Sequence, residues 1–97
     1  MTYVPSILIV DDVEPVRSVL RIMLQQAGHQ CLEAADGIEA LEIFREQSEH
    51  ITTIFLDLNM PRCDGEEAYR EIRLIAPQVS VILCTANLGC PAADRIQ

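Results

Sequence analysis

Three aspartates stand where they could act together. Asp11 and Asp12 directly follow the apolar run SILIV at residues 6–10, and Asp57 directly follows TIFL at residues 53–56. Short, nearly continuous apolar runs of this kind read as strands covered on both faces. If the two strands are neighbours, three carboxylates converge at one edge of a sheet. Like charges a few ångströms apart disfavour one another's ionisation, and a hard dication relieves that penalty. Mg²⁺ takes carboxylate and water oxygens and is commonly completed by a phosphate. A carboxylate not engaged by the metal is then free to attack phosphorus and form an aspartyl phosphate, in a reaction governed by positioning and charge neutralisation. Each acid alone has a plainer reading, since a turn or helix cap ahead of Pro15 would also use Asp11 and Asp12. Their coincidence at two strand ends favours the joint site, because ligands of open α/β sheets sit beyond the carboxyl ends of the strands.

The elements that must position these acids alternate along the chain. After the first strand, Val16, Val19, Leu20, Met23, Leu24 and Ala27 fall at helical spacing, with Pro15 suited to the first turn and Gly28 to the exit. Residues 30–34 form a second, more polar strand that fits a sheet edge. Asp36-Gly37 turns the chain into a helix over 38–48, with Leu41 and Phe44 inward. The third strand, 53–56, ends at Asp57, and residues 59–64 form a loop. A helix over 65–75 turns Ala68, Ile72 and Ile75 inward until Pro77 breaks it, and residues 79–84 are a fourth apolar strand. Pro91 could open a last short helix. Strand–helix alternation with apolar strands means a parallel α/β sheet with right-handed crossovers. The short spacing predicts one domain over residues 1–97, a flavodoxin-like doubly wound parallel sheet in strand order 2-1-3-4.

Composition narrows the function. The net charge of −8 argues against nucleic acid as a direct partner, and the positive charge that exists is carried by Arg with no Lys. No apolar stretch approaches the roughly 18 to 20 residues of a membrane helix, and the opening MTYVPS lacks the basic start of a secretory signal. A soluble, cytoplasmic protein is expected. Cys31, Cys63, Cys84 and Cys90 show no Cys-x-x-Cys spacing. They read as free thiols rather than a zinc site recruiting His29 or His50, with Cys31 and Cys84 buried in apolar runs. Met23, Phe44 and Tyr69 read as packing residues. A nucleotide-binding reading fails because no Gly-rich phosphate loop follows the first strand.

ILIVDD at residues 7–12, FLDLNMP at 55–61, Asp64-Gly65, and CTA at 84–86 together resemble the receiver domain of two-component response regulators, and AADGIEAL at 34–41 resembles that family's second turn and helix. The match runs through the whole chain in order. The resemblance implies that Asp57 is the phosphoacceptor and also part of the metal site, with Asp12 a direct carboxylate ligand of Mg²⁺ and Asp11 an acid holding the metal through water. It implies that Asn59 completes the metal site through its backbone carbonyl and faces the phosphoryl group with its side chain. Thr85 is then the hydroxyl that bonds a phosphoryl oxygen and shifts on activation; on its own it reads as an ordinary strand residue. Met60-Pro61 and Asp64-Gly65 resemble the loop after the phosphoacceptor, where Pro restricts φ and Gly permits the turn.

The chain departs from this family at its end. Receivers usually carry a Lys before a Pro at the end of a fifth strand, an aromatic switch residue on that strand, and a fifth helix. With no Lys and a last residue at Gln97, the chain is expected to be truncated before the fifth strand and helix. Loss of that cation would cost on the order of 2–4 kcal/mol of transition-state stabilisation, and Arg62 has no evident reason to replace it. Strand four becomes an exposed edge, which invites pairing with a second copy and hence a homodimer.

The function expected is therefore that of a phosphorelay receiver, taking a phosphoryl group from a phosphohistidine of a histidine kinase or histidine phosphotransfer protein. It would not be a turnover enzyme. The segment MPRCDGEEAYREIR is similar to receivers at the end of hybrid sensor kinases. The alternative is a degenerate receiver that binds a protein partner without phosphorylation. A phosphatase of the haloacid dehalogenase type is rejected, because such enzymes need a second Asp two residues after the nucleophile and Asn59 stands there.

Overall fold

The computed structural model describes residues 5–57 and 64–84 of the chain. Among these residues seven elements follow in order: β1 (Ser6–Val10), α1 (Glu14–Gln26), β2 (Gln30–Ala34), α2 (Gly37–Gln47), β3 (Ile51–Asp57), α3 (Asp64–Ile75) and β4 (Ser80–Cys84). The four strands form one parallel sheet in the order β2-β1-β3-β4, so the chain reverses its direction of travel across the sheet after β2. This is the doubly wound, flavodoxin-like arrangement expected from the sequence, with the more polar β2 at an edge. Thr85, Asn59, Arg62 and the helix expected from Pro91 lie outside the described residues.

Strand alternation divides the apolar residues between the two faces of the sheet. Leu8, Val10, Ile54 and Leu56 are fully buried and pack with Ala40 and Phe44 of α2 and Ala68 and Ile72 of α3. Ile7 and Ile9 point to the other face, where α1 packs on β1 and β2. That face is less thoroughly covered. No residue of α1 is fully buried, and Val16, Val19 and Met23 of α1, with Ile82 of β4, are exposed. Part of the apolar stripe of α1 is thus left exposed.

Local chemistry sets the element ends. Asp36 caps α2, its Oδ1 accepting the Glu39 N–H at 2.8 Å, while Glu39 Oε1 accepts the Ala35 N–H at 2.6 Å. This reciprocal arrangement satisfies two donors that would otherwise be orphaned at the helix start. Gly28 after α1 adopts φ +96°, a conformation that favours glycine. β3 begins earlier than its apolar run suggests, because Ile51 pairs with Ser6 and the register slips between Ser6 and Ile7, leaving Thr52 as an exposed extra residue. One inward assignment is corrected: Ile75, the last residue of α3, is 41% exposed. Ala76, one helical turn after Ile72, packs against the core in its place. Cys31 is a free thiol, half-buried rather than buried. Burial pushes it above its ordinary pKa, opposed by the Arg21 charge and reinforced by Glu33.

Phe44 is the largest fully buried side chain among the described residues, so Phe44→Ala is expected to lower the unfolding free energy by about 3–5 kcal/mol in urea denaturation. Leu74→Ala, at a position 78% exposed, should stay within about 0.5 kcal/mol of wild type.

Candidate functional site

Register dictates where the acids meet. β1 and β3 are adjacent and parallel, and Val10 is paired with Leu56. The next residue along the chain in each case is an aspartate, so Asp11, just past β1, and Asp57, the last residue of β3, stand side by side, with Asp12 one residue further along. One carboxylate oxygen from each of Asp11, Asp12 and Asp57 can be chosen so that all three lie within 4.8 Å of one another. Asp11 and Asp57 are half-buried and Asp12 is exposed. β4 reaches the same level on the far side of β3, where Cys84 pairs with Asp57.

The turn after β1 is tightly specified. Asp11 Oδ1 accepts the Val13 N–H at 2.9 Å, closing a short turn that delivers the chain into α1. That bond engages one oxygen of Asp11, whereas Asp12 makes no side-chain hydrogen bond or ion pair among the described residues. The Asp11 N–H donates to the Ala34 carbonyl of β2 at 3.1 Å, continuing the β1–β2 ladder past its last paired residue.

Oxygens around an octahedral Mg²⁺ at about 2.1 Å lie roughly 3 to 4.2 Å apart. Carboxylate oxygens within 4.8 Å of one another suit one or two direct carboxylate bonds with the remaining contact through water. The donor set is all oxygen, the chemistry a hard dication prefers. The residues present fit Mg²⁺. Of the site residues expected from the sequence, Asp11, Asp12 and Asp57 are brought together; Asn59 and Thr85 lie outside the described residues.

Two residues bordering the site were not anticipated. Arg17 of α1 donates from Nη1 to the Asp11 carbonyl at 2.7 Å and from Nε to Glu33 Oε1 of β2 at 2.9 Å. A sequence signal existed in each. Glu33 is an acid inside a strand that borders the central one, and Arg17 lies one turn into the helix that follows the acidic pair.

The family model described as response regulator receiver domain matches residues 7–96. The chain is 33% identical over 92 residues to the autoinducer 1 sensor kinase/phosphatase LuxN of Vibrio harveyi, covering 95% of this chain and 11% of LuxN. It is 42% identical over 91 residues to the probable transcriptional regulator ycf27 of Cyanophora paradoxa, covering 94% of this chain and 36% of that protein. The chain thus spans only a minor part of the length of these curated relatives. Among solved structures it resembles the response regulator TrrA of Thermotoga maritima in complex with Mg²⁺-BeF, with a TM-score of 0.78 and 35% identity over 86% of this chain and 70% of that one. The complex of histidine kinase ThkA with TrrA matches with a TM-score of 0.74 and 36% identity, over 84% of this chain and 69% of that one.

Without a divalent cation, the three carboxylates repel at a separation well inside the screening length of physiological salt. Asp12→Asn is therefore expected to raise stability in EDTA, by a few tenths to about 1 kcal/mol, as judged by urea denaturation. Added Mg²⁺ should stabilise the wild type more than the variant.

Proposed function

The chain belongs to the response regulator receiver domain family, and from that premise we propose that Asp57 is its phosphoacceptor and that Asp11 and Asp12 hold the Mg²⁺ the reaction requires. The observation that carries this reading is the meeting of three carboxylates within 4.8 Å at the ends of adjacent parallel strands. Receiver domains are the phosphoacceptor modules of two-component signalling. In this chain an Asp57 carboxylate oxygen attacks phosphorus, a new P–O bond forms, and the bond to the donor breaks. With a phosphohistidine donor the P–N bond breaks and the imidazole leaves; with an acyl phosphate the carboxylate leaves.

Asp12, exposed and unengaged among the described residues, is the direct metal ligand, and Asp11, whose Oδ1 is occupied by the Val13 N–H, acts through water. Bound Mg²⁺ supplies neutralisation of the charge shared by the carboxylates and the phosphoryl oxygens. Asn59 is assigned to complete the metal site through its carbonyl, and Thr85 to bond a phosphoryl oxygen. The partner is a histidine kinase or histidine phosphotransfer protein, in keeping with the capture of the similar TrrA in complex with a histidine kinase. The domain performs its own phosphotransfer and dephosphorylation in the cytoplasm rather than turning over a substrate. Among the described residues no helix is long and apolar enough to cross a membrane.

A second reading is a binding module that works without phosphorylation. Intact mass after incubation with Mg²⁺ and a small acyl phosphate separates the two. A single added phosphoryl group, absent from Asp57→Asn and from samples in EDTA, is expected. No adduct on a sample shown to be folded would favour the binding module.

A further inference from the structure

The turn that carries Asp11 and Asp12 is anchored from outside the acid cluster. Arg17 has a side chain only 12% exposed, and its guanidinium bridges two elements, meeting the Asp11 carbonyl at 2.7 Å and Glu33 Oε1 at 2.9 Å. The other Glu33 oxygen lies 2.8 Å from Arg21 Nε, an ion pair whose N–H is not directed well enough to form a hydrogen bond. Glu14, largely exposed, approaches Arg17 only to 4.0 Å. With the Asp11 N–H held by the Ala34 carbonyl, both backbone polar atoms of Asp11 are fixed. One is held by the last residue of β2, the other by a guanidinium that the preceding residue of β2 orients.

The geometry calls for arginine. A rigid planar fork can serve a carbonyl and a carboxylate simultaneously, whereas an ammonium on a flexible stem presents a single point of charge. Glu33 offsets the Arg17 charge, so this residue acts on the site through geometry rather than as a counter-ion. Resting on the assignment of Mg²⁺ to Asp11 and Asp12, we propose that Arg17, oriented by Glu33, is a positioning residue that holds the Asp11–Asp12 turn rigid and so makes the site prefer Mg²⁺ to Ca²⁺. Mg²⁺ demands near-ideal octahedral geometry at about 2.0–2.1 Å, while Ca²⁺ accepts more oxygens, at longer distances, in flexible arrangements. A turn fixed at both backbone atoms suits the smaller ion, and a slack one penalises it selectively.

The test is calorimetric titration of Mg²⁺ and, separately, Ca²⁺ into metal-free wild type, Arg17→Ala, Arg17→Lys, Glu33→Gln and Arg21→Ala, each checked for folding by circular dichroism. Arg17→Ala is expected to weaken Mg²⁺ binding about tenfold or more while changing Ca²⁺ binding less than about threefold. Arg17→Lys should share the loss, because charge without the fork does not bridge the two partners. Arg21→Ala should bind both ions like wild type, since the Arg17 bond to Asp11 is retained. Mere destabilisation would weaken both cations in parallel. Unchanged Mg²⁺ affinity in Arg17→Ala, or parallel losses for the two ions, overturns the positioning role and leaves the metal site standing. A wild type that binds no Mg²⁺ overturns the site assignment itself. If Arg17→Ala does not fold, Arg17→Lys and Glu33→Gln decide, and wild-type selectivity in both overturns the proposal.

Discussion

In a parallel sheet, residues that follow paired positions on neighbouring strands emerge side by side, and here those residues are Asp11 and Asp57. The pairing of Val10 with Leu56 is therefore the constraint on which the site depends. A shift of one residue would carry Asp57 to a different level and would also turn the buried Ile54 and Leu56 away from the core. Hydrophobic burial thus fixes the register, and the register assembles the charge. The repulsion built up in this way is a local cost held in place by the rest of the fold, as functional sites commonly are.

The fold secures this arrangement unequally on its two faces. Beneath α2 and α3, Leu8, Val10, Ile54 and Leu56 meet Phe44, Ala68 and Ile72 in a closed core. On the opposite face α1 lies over β1 and β2 with Val16, Val19 and Met23 still exposed, so apolar packing holds it less firmly. Polar contacts compensate near the site. Arg17 joins α1 to the Asp11 carbonyl and to Glu33, and the Asp11 N–H continues the ladder to Ala34. The start of α1 is consequently anchored at the end of the sheet where the carboxylates stand.

Much of this was legible in the sequence because it depends on periodicity. The runs SILIV and TIFL gave the strands, and the residue types immediately after them gave the acids. What was not legible depends on three-dimensional neighbours. The earlier start of β3 at Ile51 reflects a bulge at Thr52, which no local pattern marks. Ile75 fits the inward spacing of α3 but falls on its last turn, where the chain leaves the core and Ala76 takes over. The bridge from Arg17 to Glu33 joins a helix to a strand across 16 residues of chain, so neither member announces the other. The α1 stripe was visible as helical spacing.

Beryllofluoride, a tetrahedral mimic of a phosphoryl group, offers the most direct measurement of whether Asp57 and the acid cluster act as one site. Its binding to the wild-type chain should be followed by calorimetry with Mg²⁺ present and again in EDTA. Binding to a single site per chain, lost in EDTA and lost in Asp57→Asn with Mg²⁺ present, is the predicted result. Binding that persists undiminished without a divalent cation, or that survives the Asp57→Asn substitution, would contradict it.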